Sequence, residues 1–211
     1  MKNKKRIVIL APHTDDGELG CGGSIAKFIE EENEVFYIAF STARDSVPDG
    51  LNKDILETEV KKATKVIGIK SENLIIYKFH VRKLNFVRQE ILEEMVKFSK
   101  DLNPDLVFLP TPNDLHQDHY TISMEGIRAF KKTSILAYEL PWNNIQFKTQ
   151  AFIKLEKKHL DLKIKALKEY ESQKNRDYMG ESFVLALAQT RGIQIGTKYA
   201  ESFEVIRWVI E

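Results

Sequence analysis

Cysteine is almost missing from this 211-residue chain, where Cys21 stands alone. A single thiol excludes an intrachain disulfide and any cysteine-based zinc cluster, and it fits a reducing, cytoplasmic setting. An excess of one charge is missing too. The 32 lysines and arginines nearly cancel 31 acidic residues, leaving a formal charge of +1. A general binder of nucleic acid or of a membrane surface needs a basic excess, so neither partner is expected. No run of about 18 apolar residues is present, which argues against a membrane span. The first apolar run, Ile7–Ala11, is also too short for a signal peptide. Repeats, low-complexity tracts and a convincing linker are absent as well. What is there is ordinary for a globular protein: 43% hydrophobic and 30% charged residues. The length suits one domain over residues 1–211, at about 100–200 residues per domain.

The apolar pattern alternates between two kinds of segment. Ile7–Ala11, Glu34–Phe40, Leu74–Tyr77, Leu106–Leu109 and Ile135–Leu140 read as strands, the first and fourth as continuous apolar runs buried on both faces. Between them Ser24–Glu32, Lys53–Ile67, Phe86–Leu102 and Tyr120–Lys131 read as helices. In the second of these Leu56, Val60, Ala63 and Ile67 fall on one face. Strands separated by helices predict an α/β fold: a Rossmann-like, doubly wound, mostly parallel sheet with helices on both faces, a three-layer sandwich. The last third is less regular. Leu155–Glu171 has helical spacing, Phe183–Ala188 fits helix or strand, and Phe203–Ile210 reads as a late strand. Asp45–Asn52 reads as a surface loop.

Two segments concentrate chemistry. The first follows the first strand, Pro12-His13-Thr14-Asp15-Asp16-Gly17-Glu18, and runs on through Gly20, Gly22 and Gly23. A phosphate-binding turn belongs at this position, but the glycine spacing fails: residue 25, where the third glycine belongs, is Ile. No acid closes the second strand, and two adjacent carboxylates repel a pyrophosphate, so a dinucleotide site is rejected. Imidazole and carboxylate together suit zinc or a similar divalent ion. The second segment, Asp114-Leu115-His116-Gln117-Asp118-His119, follows the fourth strand. Either alone reads equally well as helix-capping acids. In a doubly wound sheet, however, strands one and four lie side by side, and ligands bind at their carboxyl ends. Both segments therefore face one crevice, which predicts a metal site.

With those residues in view, the chain resembles the PIG-L/LmbE family of zinc-dependent N-acetylglucosaminyl deacetylases. The family pattern is His-Pro-Asp-Asp-Glu early and His-Pro-Asp-His late. Here Thr14 and Gln117 stand in place of proline, and Gly17 separates the Asp pair from Glu18. Ser172-Gln173, Arg191-Gly192 and Tyr199–Phe203 also look like family segments. The resemblance implies His13, Asp16 and His119 as ligands of one Zn²⁺ per chain, leaving a fourth position for water. Iron or manganese suits the same donors. It further implies Asp15 as general base, a protonated His116 as oxyanion stabiliser, and Asp118 as the acid that orients a site histidine. The bare sequence does not separate the roles of Asp15 and Asp16; the family does. Whether Asp15 or His116 protonates the departing amine stays open.

The reaction so implied removes an N-acetyl group from an amino-sugar-containing small molecule, releasing acetate and an amine. Two rivals stand beside it: a metal-dependent amidase for a non-sugar amide, and a metal- or ligand-binding protein without turnover. The resemblance also points to a homo-oligomer. For substrate contacts the candidates are Arg44, Trp142, Arg191 and Tyr199. Glu18 reads as a loop or helix-start acid, Cys21 as a small buried hydrophobe, and His80 and His159 as surface or structural.

Overall fold

The computed structural model describes residues 4–210. Seven strands form one sheet in the order β3-β2-β1-β4-β5-β7-β6. These are β1 (Arg6–Ala11), β2 (Glu34–Ala39), β3 (Leu74–Ile76), β4 (Leu106–Pro110), β5 (Ser134–Tyr138), β6 (Ala151–Leu155) and β7 (Tyr199–Arg207). The helices are α1 (Asp16–Glu30), α2 (Ile55–Ile67), α3 (Arg88–Leu102), α4 (Gln117–Ala129), α5 (Lys157–Lys168) and α6 (Glu181–Ile193). Strands β1 to β5 pair in parallel. Only β7 runs against its neighbours, pairing antiparallel with both β5 and β6.

The period of two along β1 divides the core. Ile7, Ile9 and Ala11 join one cluster with residues of α1, α2, α5 and α6. Val8 and Leu10 join the other with Ile91 and Met95 of α3 and Ile122 of α4. A strand apolar over five consecutive positions, as β1 is from Ile7 to Ala11, has helices on both its faces. The three-layer α/β expectation holds.

Two sequence expectations change. The glycine-rich stretch before Ser24 is helix rather than loop: α1 begins at Asp16 and kinks at Cys21, whose backbone leaves helical geometry (φ −145°, ψ 24°). The glycines serve contact, because a Cβ on Gly17 would collide with the Tyr37 ring and one on Gly20 with the Tyr138 ring. The second change is β6, a strand the sequence reading passed over; its short AFIKL run directly abuts helical spacing. Phe183–Ala188 lies inside helix α6. Among the described residues no helix is long and apolar enough to cross a membrane.

Candidate metal centre and active site

β1 and β4 are hydrogen-bonded neighbours, with Ile9 opposite Phe108. Residues 12–16 leave the carboxyl end of β1, and residues 111–119 leave the carboxyl end of β4. The two acid-histidine segments therefore meet. His13 Nδ1 lies 3.1 Å from Asp16 Oδ2. His119 Nε2 lies 3.2 Å from the same oxygen and 3.2 Å from His13 Nδ1. Three donor atoms form a nearly equilateral triangle.

The far side of each ring is spoken for. His13 Nε2 is 3.1 Å from Asp118 Oδ2, and His119 Nδ1 is 2.8 Å from Asp114 Oδ2. A carboxylate at one ring nitrogen takes the N–H and turns the lone pair of the other toward the triangle. Two imidazole lone pairs and a carboxylate oxygen aimed at one point repel one another unless a cation lies between them. Donors bonded at about 2.0–2.1 Å to a tetrahedral zinc stand about 3.3–3.4 Å apart, close to the separations here. The residues fit a divalent metal. The pull on positive charge is visible in the imidazoles. Burial lowers the His13 pKa, but Asp16 and Asp118 outweigh it and raise it to about 9; burial likewise opposes, and Asp16 and Asp114 override it, at His119, which reaches about 10.

His116 belongs to the same group, with ring nitrogen within 4.8 Å of those of His13 and His119. Its ring stacks on His119 at 4.6 Å. As the residue that caps α4, it accepts the Asp118 amide at Nδ1, 3.2 Å away. A ring accepting at Nδ1 is neutral with its proton on Nε2, which corrects the protonated form implied by the resemblance. Burial and the two neighbouring imidazoles push its pKa down to about 4. With Nδ1 spent, His116 is a poorer third donor than Asp16.

Asp15 occupies the N-cap position of α1 and makes no capping bond. Its side chain is half-buried and lines the cavity beside the triangle. Burial, then the Asp16 charge, raises its pKa to about 6, with His13 and Arg176 pulling the other way. Asp118 sits in the first turn of α4, and its carboxylate also accepts the amides of Arg82 (2.5 Å) and Leu84 (3.2 Å). That pins the 80–84 turn, where Arg82 adopts φ +63°, against the site.

Beneath the motif lies a cluster that sequence reading missed. Glu18 lies in the first turn of α1, as a helix-start acid, and is fully buried. The hydroxyls of Tyr37 and Tyr170 both reach the Thr14 carbonyl, at 2.9 and 2.7 Å, and both contact the Glu18 carboxyl. Each phenol has one proton to give, so a protonated Glu18 would supply a third proton for these four contacts. Burial favours that form, raising its pKa to about 8 against the tyrosine hydrogen bonds. Thr14 stands between His13 and Asp15, and two phenols hold its carbonyl.

The cavity at the triangle measures about 300 Å³ and is bordered by Ser46, Trp142, Gln173, Arg176 and Tyr178 as well as the motif residues. Of the four candidate substrate contacts, only Trp142 lines it. Arg44 points to Asp54 at 3.3 Å and is largely exposed. Arg191 makes a paired contact with Glu139 at 2.7 and 2.6 Å, and Tyr199 is buried in the core on β7. Gln173, Arg176 and Tyr178 come from short turns between α5 and α6, where no periodicity marks them. Cys21 is fully buried, His80 is exposed beside Asp45, and His159 caps α5 and meets Glu30.

Residues 8–130 match the family model described as PIG-L, GlcNAc-PI de-N-acetylase. The chain is 26% identical to the uncharacterised deacetylase YaiS of Escherichia coli, across 80% of this chain and 92% of the relative. It is 25% identical to the diacetylchitobiose deacetylase of Thermococcus kodakarensis, across 96% of this chain and 83% of that one. Two solved structures share the fold. The N,N'-diacetylchitobiose deacetylase of Pyrococcus horikoshii superposes with a TM-score of 0.81 at 22% identity, covering 97% of this chain and 85% of that chain. GalB, a 4-carboxy-2-hydroxymuconate hydratase from Pseudomonas putida, gives 0.80 at 15% identity, covering 98% of both.

Proposed function

The chain belongs to the PIG-L family of de-N-acetylases, and on that footing we propose that it hydrolyses the N-acetyl group of an amino-sugar-containing small molecule, releasing acetate and a free amine. The observation that carries the reading is the convergence of His13 Nδ1, Asp16 Oδ2 and His119 Nε2 within 3.1–3.2 Å at the ends of two adjacent strands. In this reading those three residues hold one zinc ion, and Asp114 and Asp118 orient the two imidazoles. Bound there, zinc supplies Lewis acidity and eases the deprotonation of water near neutral pH.

The remaining work falls to the chain's own groups. Asp15, which makes no capping bond at its helix start, takes the proton of the attacking water. The water oxygen bonds to the acetyl carbon, the carbon–nitrogen bond breaks, and the nitrogen receives from Asp15 the proton that Asp15 took from the water, a neutral His116 having none to spare. His116 donates from Nε2 to the carbonyl oxygen as negative charge grows there, a contact of the kind that removal costs about 10²–10³ in rate. The reading places the enzyme in the cytoplasm, working on a soluble small molecule as a homo-oligomer.

Acetate release from a panel of N-acetylated amino sugars and simple amides tests this, using protein stripped of metal and reloaded with zinc, iron or manganese in turn. Metal-dependent release from the sugars is the expected result. Release only from non-sugar amides identifies an amidase instead, and no release with metal bound at one per chain points to a binding protein. Asp15→Asn is expected to keep metal and lose most turnover, whereas His119→Ala loses both; near-full activity in the first variant removes Asp15 as the base.

A further inference from the structure

Among the described residues that line the cavity, Arg176 is the one lysine or arginine. Its surroundings differ from those of most arginines of the chain; Arg207, which donates to the Phe130 carbonyl, and Arg82 also lack an ion pair among the described residues but do not line the cavity. Arg44 meets Asp54, Arg88 and Arg128 meet Glu125, and Arg191 meets Glu139. Among the described residues no carboxylate oxygen comes within 4 Å of the Arg176 guanidinium, which instead donates from Nη1 to the Tyr178 hydroxyl and lies 5.8 Å from that ring's centre. A neutral phenol orients the guanidinium without cancelling its charge. Tyr178 is itself held, stacked on Trp142 with ring centres 3.9 Å apart and planes 7° from parallel. The backbone at Arg176 is also fixed, its amide bonded to the Gln173 carbonyl at 3.0 Å. A free surface arginine has none of these restraints.

Most of the remaining N–H donors of this planar cation are free, and the geometry of a guanidinium matches carboxylate and phosphate. It lines the same cavity as Asp15, His116 and the three candidate donors. We propose that Arg176 determines specificity by binding an anionic substituent, a carboxylate or a phosphate, of the amino-sugar substrate. The stacked Trp142–Tyr178 pair, through the Tyr178 hydroxyl, holds the guanidinium at the cavity wall that all three residues line. The favoured substrate is then an acidic conjugate of an N-acetylated amino sugar rather than a neutral oligosaccharide. This rests on the deacetylase reading and narrows it.

The test compares three N-acetylglucosamine derivatives on the zinc-loaded protein: the 1-phosphate, a glycoside with a carboxylate aglycone, and the neutral methyl glycoside. The wild-type protein is expected to favour one or both acids, and the arm that wins names the anion. In Arg176→Gln the ratio of kcat/KM for acid over neutral substrate is expected to fall by about 10- to 100-fold, carried mainly by KM, and Arg176→Lys to restore part of it. An equal loss on all three substrates, or no preference in the wild type, overturns the proposal while leaving the deacetylase reading intact. If no derivative is turned over, calorimetric binding of the 1-phosphate decides separately. Tighter binding by wild type than by Arg176→Gln supports the anion subsite even as the reaction fails, and equal binding overturns it. Matching thermal melts of the two proteins exclude a folding defect as the cause.

Discussion

Single side chains decide how well the triangle is made. Asp114 shows the division of labour: Oδ2 meets His119 Nδ1 at 2.8 Å, and Oδ1 accepts the His116 amide at 2.8 Å. One carboxylate thus fixes a ring that faces the triangle and the loop that carries the neighbouring ring. Asp114→Ala is expected to weaken zinc affinity about 10- to 100-fold, the usual effect of losing such a support, as measured by competition with a chelating dye. The two acid-histidine segments were legible in the sequence because topology brings both strand ends to one crevice, whereas the choice of His13, Asp16 and His119 within them came from the family resemblance. Arg176 and Tyr178 were not. Their importance lies in what they lack, a carboxylate partner, and what they stack upon, and neither property is local in sequence.

At the scale of elements, α1 is two helical pieces joined at Cys21, and the second piece has its own support from across the chain. Glu201 of β7 accepts the amides of Gly23 (3.0 Å) and Ser24 (2.7 Å), capping the piece after the kink. Lys163 of α5 completes the arrangement, 2.8 Å from Glu201 and 2.7 Å from the Leu19 carbonyl. All three polar residues are buried. Glu201→Ala strands the Lys163 ammonium and two helix-start amides, and a loss of about 3–5 kcal/mol in unfolding free energy is expected from urea titration. Glycines at 20, 22 and 23 looked like a loop in the sequence because glycine signals turns far more often than close packing. Close packing accounts for them: a Cβ would meet the Tyr138 ring at Gly20, the Lys163 chain at Gly22 and the Leu155 side chain at Gly23. Elements with clear apolar periods, such as β1, β4 and α2, were placed to within a few residues. β6 was not, because five residues of mixed polarity carry no period.

The whole molecule couples metal to folding. The donors come from segments more than 100 residues apart and converge only when β1 and β4 pair. An unfolded chain has no such triangle, so a metal held there would bind the native state preferentially and raise its stability. At a hundredfold excess over Kd the gain is about 2.7 kcal/mol. A zinc-dependent rise in melting temperature, reversed by chelator and absent in His119→Ala, is the expected outcome of differential scanning fluorimetry. No rise in the wild-type protein removes the metal site. The doubly wound order of the first five strands was readable from alternation alone, since right-handed crossovers leave few alternatives. The insertion of β7 between β5 and β6 was not, because strand order at an antiparallel edge is set by long-range pairing that no local pattern records.

That insertion has a consequence in time. Strand β7 is synthesised after the other six strands and the six helices named above, yet it is the strand that bridges β5 to β6 and brings Glu201 to α1, with Glu204 bonding Thr111 at the end of β4. Until it arrives, a nascent chain already holds both donor segments but presents β5 as an open edge, a template for pairing with other chains. Completion of the sheet behind the triangle is therefore deferred until β7 has been made, and the exposed β5 edge makes the interval before it the one in which pairing with other chains competes with folding.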